Sequence, residues 1–475
     1  MKQPTCQVFT PEQLVQEMLN KLGYTTQLYG KKILENSCGD GAFLKEIVRR
    51  YIADARSVNI PDASIRNGLA ADICGIEKDE SCHAVCLEVL NQTAASFGIT
   101  GVDWNVRQAD ALSEVVRDYY DYVVGNPPYM TYYNLNQQQR DQIRERFETC
   151  QKGKADYYYA FTEAAICSLR PGGRLAYLIP NNFMKNRFSE ELRKYLLPHI
   201  IELTDYRNQK IFKNHQTSSA ILLCQKNSHT PTFQYVDIPA ENSFPVVKQN
   251  LQGKWAFYLK PVNRSVKFGD WFQVSAPVAT LLNEAFVLDD IVDESDIYVV
   301  TERCCIERSI LRKAASPRTL QKQQAAYIIF PYRYVNGNRQ SFDECDFRAS
   351  YPLAYAYLER FKDRLKKRKK DAKCQWFEYG RSQALMHIDQ EKIILSTLMT
   401  GIIRYYRQDA DTVPFSGMYI VPKAGHTLEE AEAILSSADF LNYILEIGIS
   451  VNGLSYRISP MDVRDYKFQQ PSVRR

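Results

Sequence analysis

Strand-like and helix-like segments alternate through the first 225 or so residues, and that alternation restricts the chain more than any other feature does. Thr10 can cap a helix, Pro11 fits its first position and Gln13 completes a capping box, with Leu14, Val15, Met18, Leu19 and Leu22 as the apolar face. Strands are expected at 31–36, 73–79, 104–110, 120–129 and 172–180, and two more at 200–206 and 218–223. Helices fill the gaps after 41, from about 80 to 97, and over 156–169. Such alternation predicts a mostly parallel sheet covered on both faces, whose ligands bind beyond the carboxyl ends of the strands. From about Asn227 the pattern is lost. Residues 227–280 read as a polar linker or wrapping segment, followed by basic helices and aromatic-rich strands of a different architecture. The expected domains are therefore 1–226 and 227–475.

Composition bounds the remaining possibilities. With 475 residues, 45% hydrophobic and 24% charged, the chain has material for two or three cored domains and is not broadly disordered. No apolar run approaches the ~20 residues that span a bilayer, and the first residues have no secretory pattern. The twelve Cys residues are too sparse for a stapled secreted scaffold, so reduced thiols and a cytoplasmic location are expected. No CxxC pair exists. Cys82, His83 and Cys86 have no second pair at zinc spacing, so no metal is expected. The net charge of +5 is too small to argue nucleic-acid binding from totals; only local clusters can do that.

Three strand ends carry polar groups in order. The turn Ser37-Cys38-Gly39-Asp40-Gly41 places glycines at the head of a helix, where backbone can approach a ligand. Glu77 ends the second strand, where its carboxylate can accept from ribose hydroxyls. Asp110 ends the third, where it can accept from an adenine amino group. An adenosine cofactor fits this set, and a dinucleotide fits nearly as well.

The fourth strand is more specific. Val123-Val124-Gly125 leads into Asn126-Pro127-Pro128-Tyr129, and the paired prolines force a rigid extended turn. The Asn126 side chain and the Pro127 carbonyl become two neighbouring acceptors. Together they can grip the N–H bonds of a planar amino group, whose lone pair is delocalised, and draw it toward tetrahedral geometry facing a methyl donor. Tyr129 offers a flat surface for stacking.

Residues 1–226 resemble the catalytic domain of N6-adenine DNA methyltransferases of the gamma class, with the TaqI-like motif order. The resemblance rests on FTP (9–11), ENSCGDGAFL (35–44), GIEKD (75–79), QADAL (108–112), GNPPY (125–129), DYYYAFTEAA (156–165), GGRLAYLIPNNF (172–183) and IFKNHQTSSAILL (211–223). It implies a Rossmann-like seven-stranded methyltransferase sheet with a C-terminal mixed α+β target-recognition domain. It implies S-adenosylmethionine as cofactor, held by Thr10, Glu35, Ser37, Cys38, Gly39, Gly41, Glu77, Asp110, Ala111, Asn126 and Phe161. Asn126, Pro127, Pro128 and Tyr129 would be catalytic, with Tyr129 and Phe212 stacking on the flipped base. Asn36 departs from the family, which commonly has Pro before Ser37.

The second domain also resembles the recognition domains of these enzymes at 327–332, 352–370 (read as one helix) and 376–383. Between Arg360 and Arg381 lie ten basic and three acidic residues, interleaved with aromatics. Lys366, Lys367, Lys369, Lys370 and Trp376 are expected on DNA, with Arg381 reaching a guanine edge. The resemblance implies a monomer acting on double-stranded DNA without cleaving it. A separately encoded restriction endonuclease would be its functional counterpart. Alternatives are an NPPY-type methyltransferase acting on RNA or on a protein glutamine, and a non-catalytic DNA-binding protein.

Overall fold

The computed structural model describes residues 10–209, 211, 218–251, 253–257, 266–336, 338–451 and 455–469. The chain divides into two compact units, one ending at Phe257 and the next beginning at Tyr258.

The first unit is built on one nine-stranded sheet. Its strands are β1 (Ile33–Glu35), β2 (Ile73–Glu77), β3 (Asn105–Gln108), β4 (Tyr120–Gly125), β5 (Leu169–Pro180), β6 (Ile200–Asp205), β7 (Ser219–Gln225), β8 (Thr232–Asp237) and β9 (Asn242–Val247), in the order β3-β2-β1-β4-β5-β7-β6-β8-β9. The first five run parallel, and β7 lies antiparallel between β5 and β6. The chain runs outward from β1 to β2 and β3, then returns to place β4 on the other side of β1. That reversal makes the carboxyl ends of β1 and β4 the expected crevice for a ligand.

Helices cover both faces: α1 (Glu12–Leu22), α2 (Ala42–Ser57), α3 (Asp62–Asp72), α4 (Glu80–Ala95), α5 (Gln137–Arg146), α6 (Tyr157–Ser168) and α7 (Glu190–Leu196). Successive strand residues point to opposite cores. Ile33, Val124 and Ala176 join one hydrophobic cluster with α1 and α2, whereas Leu34, Val123 and Leu175 join the other with α6. This two-sided burial explains why these strands read as continuous apolar runs. All five apolar residues expected on the face of α1 are buried. Its start differs from expectation, because Pro11 occupies the cap and no side chain bonds to the helix end. Thr10 serves elsewhere.

Three further expectations are corrected. Residues 227–280 are not a linker throughout. β8 alternates Phe233, Tyr235 and Asp237 inward and pairs parallel with β6, so the sheet has nine strands rather than seven. Trp255 is 1% exposed and its backbone N–H donates to the Met184 carbonyl at 2.7 Å, which ties this stretch to the first unit. The stretch 352–370 is not one helix. Pro352–Glu359 and Lys362–Lys366 are separate, because Phe361 leaves helical geometry (φ −103°, ψ 3°) between them.

The second unit mixes small antiparallel sheets with short helices. One four-stranded sheet comprises Phe272–Ser275, Met418–Pro422, Lys392–Leu395 and Tyr405–Gln408, a second comprises Val287–Leu288, Tyr327–Ile329, Leu311–Ala315 and Val413–Pro414, and other strands form smaller sheets and a hairpin. Its core centres on aromatic residues including Phe286, Phe347, Phe377 and Tyr379. No helix among the described residues is long and apolar enough to cross a membrane.

Candidate active site

β1 ends at Glu35, and the chain turns through residues 36–41 into α2. Gly41 sits at φ +88°, and a Cβ there would stand 2.8 Å from the sulfur of Cys86, a buried residue of α4. Only glycine lets the turn close against α4. Gly39 (φ +53°) has open space where a Cβ would be, so its backbone is free to be approached. Its N–H donates to Glu77 Oε2 at 2.9 Å, while Glu77 Oε1 accepts from the Asp79 N–H at 2.8 Å. Glu77 is thus a clamp between the end of β2 and the glycine turn. Cys38 is buried beside it, with its N–H on the Ile76 carbonyl at 3.1 Å.

Glu35 is 2% exposed. Its Oε2 has no hydrogen-bond partner among the described residues, and burial raises its carboxyl well above the usual range. A buried acid of this kind, at the head of the crevice, suits a ligand that brings a donor or a positive charge. Asn36 next to it accepts from the Tyr177 hydroxyl of β5, so the departure from proline is matched by a polar partner. Sequence reasoning missed Tyr177, because its partner lies 141 positions away.

Asp110 follows β3. Its Oδ1 accepts from the Leu112 N–H at 3.0 Å and its Oδ2 pairs with Lys78 at 2.9 Å, an ammonium that is largely exposed and easily displaced. Ala111 is buried. Phe161 of α6 is buried in the same cluster, in edge contact with Tyr157 at 5.3 Å.

At the end of β4, the Asn126 side-chain Nδ2 donates to Thr10 Oγ1 at 3.3 Å, and the Asn126 carbonyl accepts from Ser37 Oγ at 3.4 Å. The turns that follow β1 and β4 and the segment before α1 therefore meet at one point. The amide nitrogen is committed to Thr10, which makes Oδ1 the acceptor end. Pro127 is buried, and Pro128 and Tyr129 are partly exposed. The Tyr129 hydroxyl donates to the Leu178 carbonyl at 2.9 Å, and Tyr158 supports its ring edge-on at 6.3 Å. Burial pushes its phenol up, so it stays neutral and its ring is fixed as a platform. Phe212 lies outside the described residues.

His83 bonds the Val106 carbonyl at 3.0 Å and Cys86 faces the glycine turn, so these two side chains act within α4 and its neighbours. Among the described residues no three His, Cys, Asp or Glu side chains group as a metal site.

The second unit's expected DNA residues separate into two kinds. Lys366, Lys367, Lys369 and Arg381 are exposed. Lys370 donates to the Cys374 carbonyl. Trp376 is corrected outright. It is 6% exposed, its Nε1 donates to Glu344 Oε1 at 2.8 Å, and it packs with Phe377 in the core. The interleaved aromatics build that core, where an apolar ring is worth more than on a solvated face. Arg368 is likewise structural, donating to the Trp376 and Glu378 carbonyls at 2.7 and 3.0 Å.

Residues 77–212 match the Eco57I restriction-modification methylase family. The chain is 22% identical to the Type II restriction enzyme and methyltransferase RM.Eco57I of Escherichia coli, over 90% of this chain and 53% of that protein. It is 30% identical to the Type II methyltransferase M.XhoI of Xanthomonas vasicola, over 46% of this chain and 42% of that protein. It thus spans about half or less of either relative. M.BstVI of Geobacillus stearothermophilus, another Type II methyltransferase, is 21% identical over 98% of this chain and 90% of its own length. In fold, the chain is similar to the Type IIL restriction-modification enzyme MmeI, solved in complex with DNA, with a TM-score of 0.59 at 14% identity, over 96% of this chain and 64% of that one.

Proposed function

We propose that this chain, a relative of restriction-modification methylases, transfers a methyl group from S-adenosylmethionine to the N6 amino group of an adenine flipped out of a specific duplex DNA sequence. The observation that carries the reading is the junction at Asn126. An acceptor fixed by Thr10 and Ser37 stands at the strand end beside the glycine turn, with a proline carbonyl following it.

The residues present fit the cofactor. Gly39 leaves room for close approach, Glu77 and Asp110 offer carboxylates to a ribose and an adenine, and Glu35 keeps a buried oxygen for a cationic or donor group. When bound, S-adenosylmethionine would supply an electrophilic methyl group on a sulfonium, whose methyl–sulfur bond breaks to leave a neutral thioether. In this reading Asn126 Oδ1 and the Pro127 carbonyl accept the two N–H bonds of the target amino group. That grip takes the nitrogen lone pair out of conjugation and turns it toward the donor. Tyr129, anchored on Leu178, stacks on the base and holds its plane. No group of shifted pKa is needed as a base before attack, since the amino nitrogen sheds its proton after the new bond forms. Because N6 is engaged in pairing within the duplex, the adenine has to leave the stack, at a cost of a few kcal/mol.

The test is direct. Duplex DNA from an unmodified host is incubated with the protein and labelled cofactor, then digested to nucleosides for mass spectrometry and sequenced for modified bases. N6-methyladenine confined to one short sequence is expected. Label appearing in cytosine, in RNA only, or in protein only would overturn the reading.

A further inference from the structure

Tyr332–Val335 and Asn338–Ser341 form a two-stranded antiparallel hairpin that pairs with no other strand among the described residues. Its faces differ. Tyr332, Tyr334 and Arg339 share one face by strand alternation, and that face is tied to the second unit. The Tyr379 N–H donates to the Tyr332 hydroxyl at 3.1 Å, Tyr334 lies parallel to Phe330 at 6.5 Å, and Arg339 donates to the Leu385 carbonyl. The opposite face carries Arg333 directly across from Gln340, and Val335 across from Asn338. All four are exposed, and no acidic residue occurs between 331 and 342. Arg333 has one ion-pair partner, Asp346 at 3.4 Å, with both side chains about half exposed, and its guanidinium lies 5.3 Å from the Phe342 ring centre. A pair so open to water holds an arginine weakly.

We infer that this outward face reads base edges in the DNA major groove, an inference that rests on the DNA-methyltransferase reading above. The dimensions fit. Two strands about 4.8 Å apart and four residues long, roughly 14 Å, enter a groove about 12 Å wide. The side chains also match what the groove displays. An arginine fork complements the two acceptors of guanine, Gln and Asn complement the donor–acceptor pair of adenine, and an apolar Val suits the thymine methyl group. A row of like-charged lysines, as at Lys366 and Lys367, can hold phosphates but carries no sequence information. The absence of acids on the hairpin removes the charge that a groove would repel.

The sequence methylated by the wild-type protein is first mapped, and affinities for target and non-target duplexes are then compared at one salt concentration. Arg333→Ala and Gln340→Ala should each lower target affinity roughly 10- to 100-fold, with little change for non-target DNA. Methylation should spread to sites differing from the mapped sequence at one or two base pairs. Arg333→Lys keeps the charge but loses the fork, and should lose most of the discrimination. Cofactor binding and the thermal midpoint, which the exposed face should not move, report on folding. Equal losses on target and non-target DNA, rescued by Arg333→Lys, would overturn the inference in favour of phosphate contact. An unchanged affinity ratio and an unchanged sequence would overturn it in favour of a merely solvated hairpin. If the wild-type protein methylates no DNA, the enzymatic reading itself fails, and the inference falls with it.

Discussion

Asn126 holds one end of its amide still and offers the other. Its Nδ2 on Thr10 sets the orientation, and Ser37 steadies its backbone carbonyl. Asn126→Ala removes an acceptor needed only as the amino group changes geometry. The turnover number should fall roughly 10²- to 10³-fold, by analogy with removal of one transition-state hydrogen bond. Single-turnover methylation measures this, with cofactor affinity expected to stay near wild type. Tyr177→Phe probes a different bond. It strips the donor from buried Asn36 and should cost about 1–3 kcal/mol in chemical denaturation. The sequence alone marked Asn36 as unusual beside the family pattern. It could not supply the partner, because the turn and β5 are distant in the chain and only the sheet order makes them neighbours. The same holds for Thr10. Its spacing to Pro11 and Gln13 reads as a helix cap, yet in the folded chain its hydroxyl meets a strand end 116 positions later.

At the level of elements, β1, β2 and β4 to β7 were legible because strands buried on both faces are largely apolar runs. β8 and β9 were not. β8 buries only one face, β9 is a largely polar edge strand, and Pro231 and Pro245 around polar residues disguise a period of two. His199, at the entry to β6, gives this end of the sheet a pH signature. Burial first, then the charges of Lys226, His229 and Lys248, lowers its imidazole to about 4. The neutral ring is the form the fold prefers, and its Nδ1 accepts from the Asn227 N–H at 3.0 Å. The unfolded chain binds this proton more readily, so the contribution is complete above about pH 6.5 and is lost as pH falls toward 4. Urea denaturation across that window should show stability falling with acid, and the difference between wild type and His199→Gln should isolate this group's share. In the second unit, the basic run was legible as charge but not as structure. Its density of lysines hid the break at Phe361, and its aromatic residues turned inward. Replacing Lys366, Lys367 and Lys369 with Gln should flatten the salt dependence of DNA binding, by up to about 0.9 in log–log slope for each phosphate no longer neutralised. An unchanged slope would assign these lysines to solvent.

Across the whole chain, a chemical unit precedes a unit of small sheets and short helices, and each has its own hydrophobic core. In the proposed reaction the activating positive charge arrives with the methyl donor, so methyl transfer should persist in excess chelator. Activity abolished by EDTA and restored by one divalent ion would contradict that mechanism. The hairpin has a wider consequence. Tyr332, Tyr334 and Arg339 secure it from behind, so its four outward positions have little structural duty of their own. If they read DNA, descendants of this chain could exchange them singly without unsettling the fold or the methyl-transfer machinery. New targets would then be reachable through a few tolerated substitutions, and closely related chains could diverge in specificity while keeping the same chemistry.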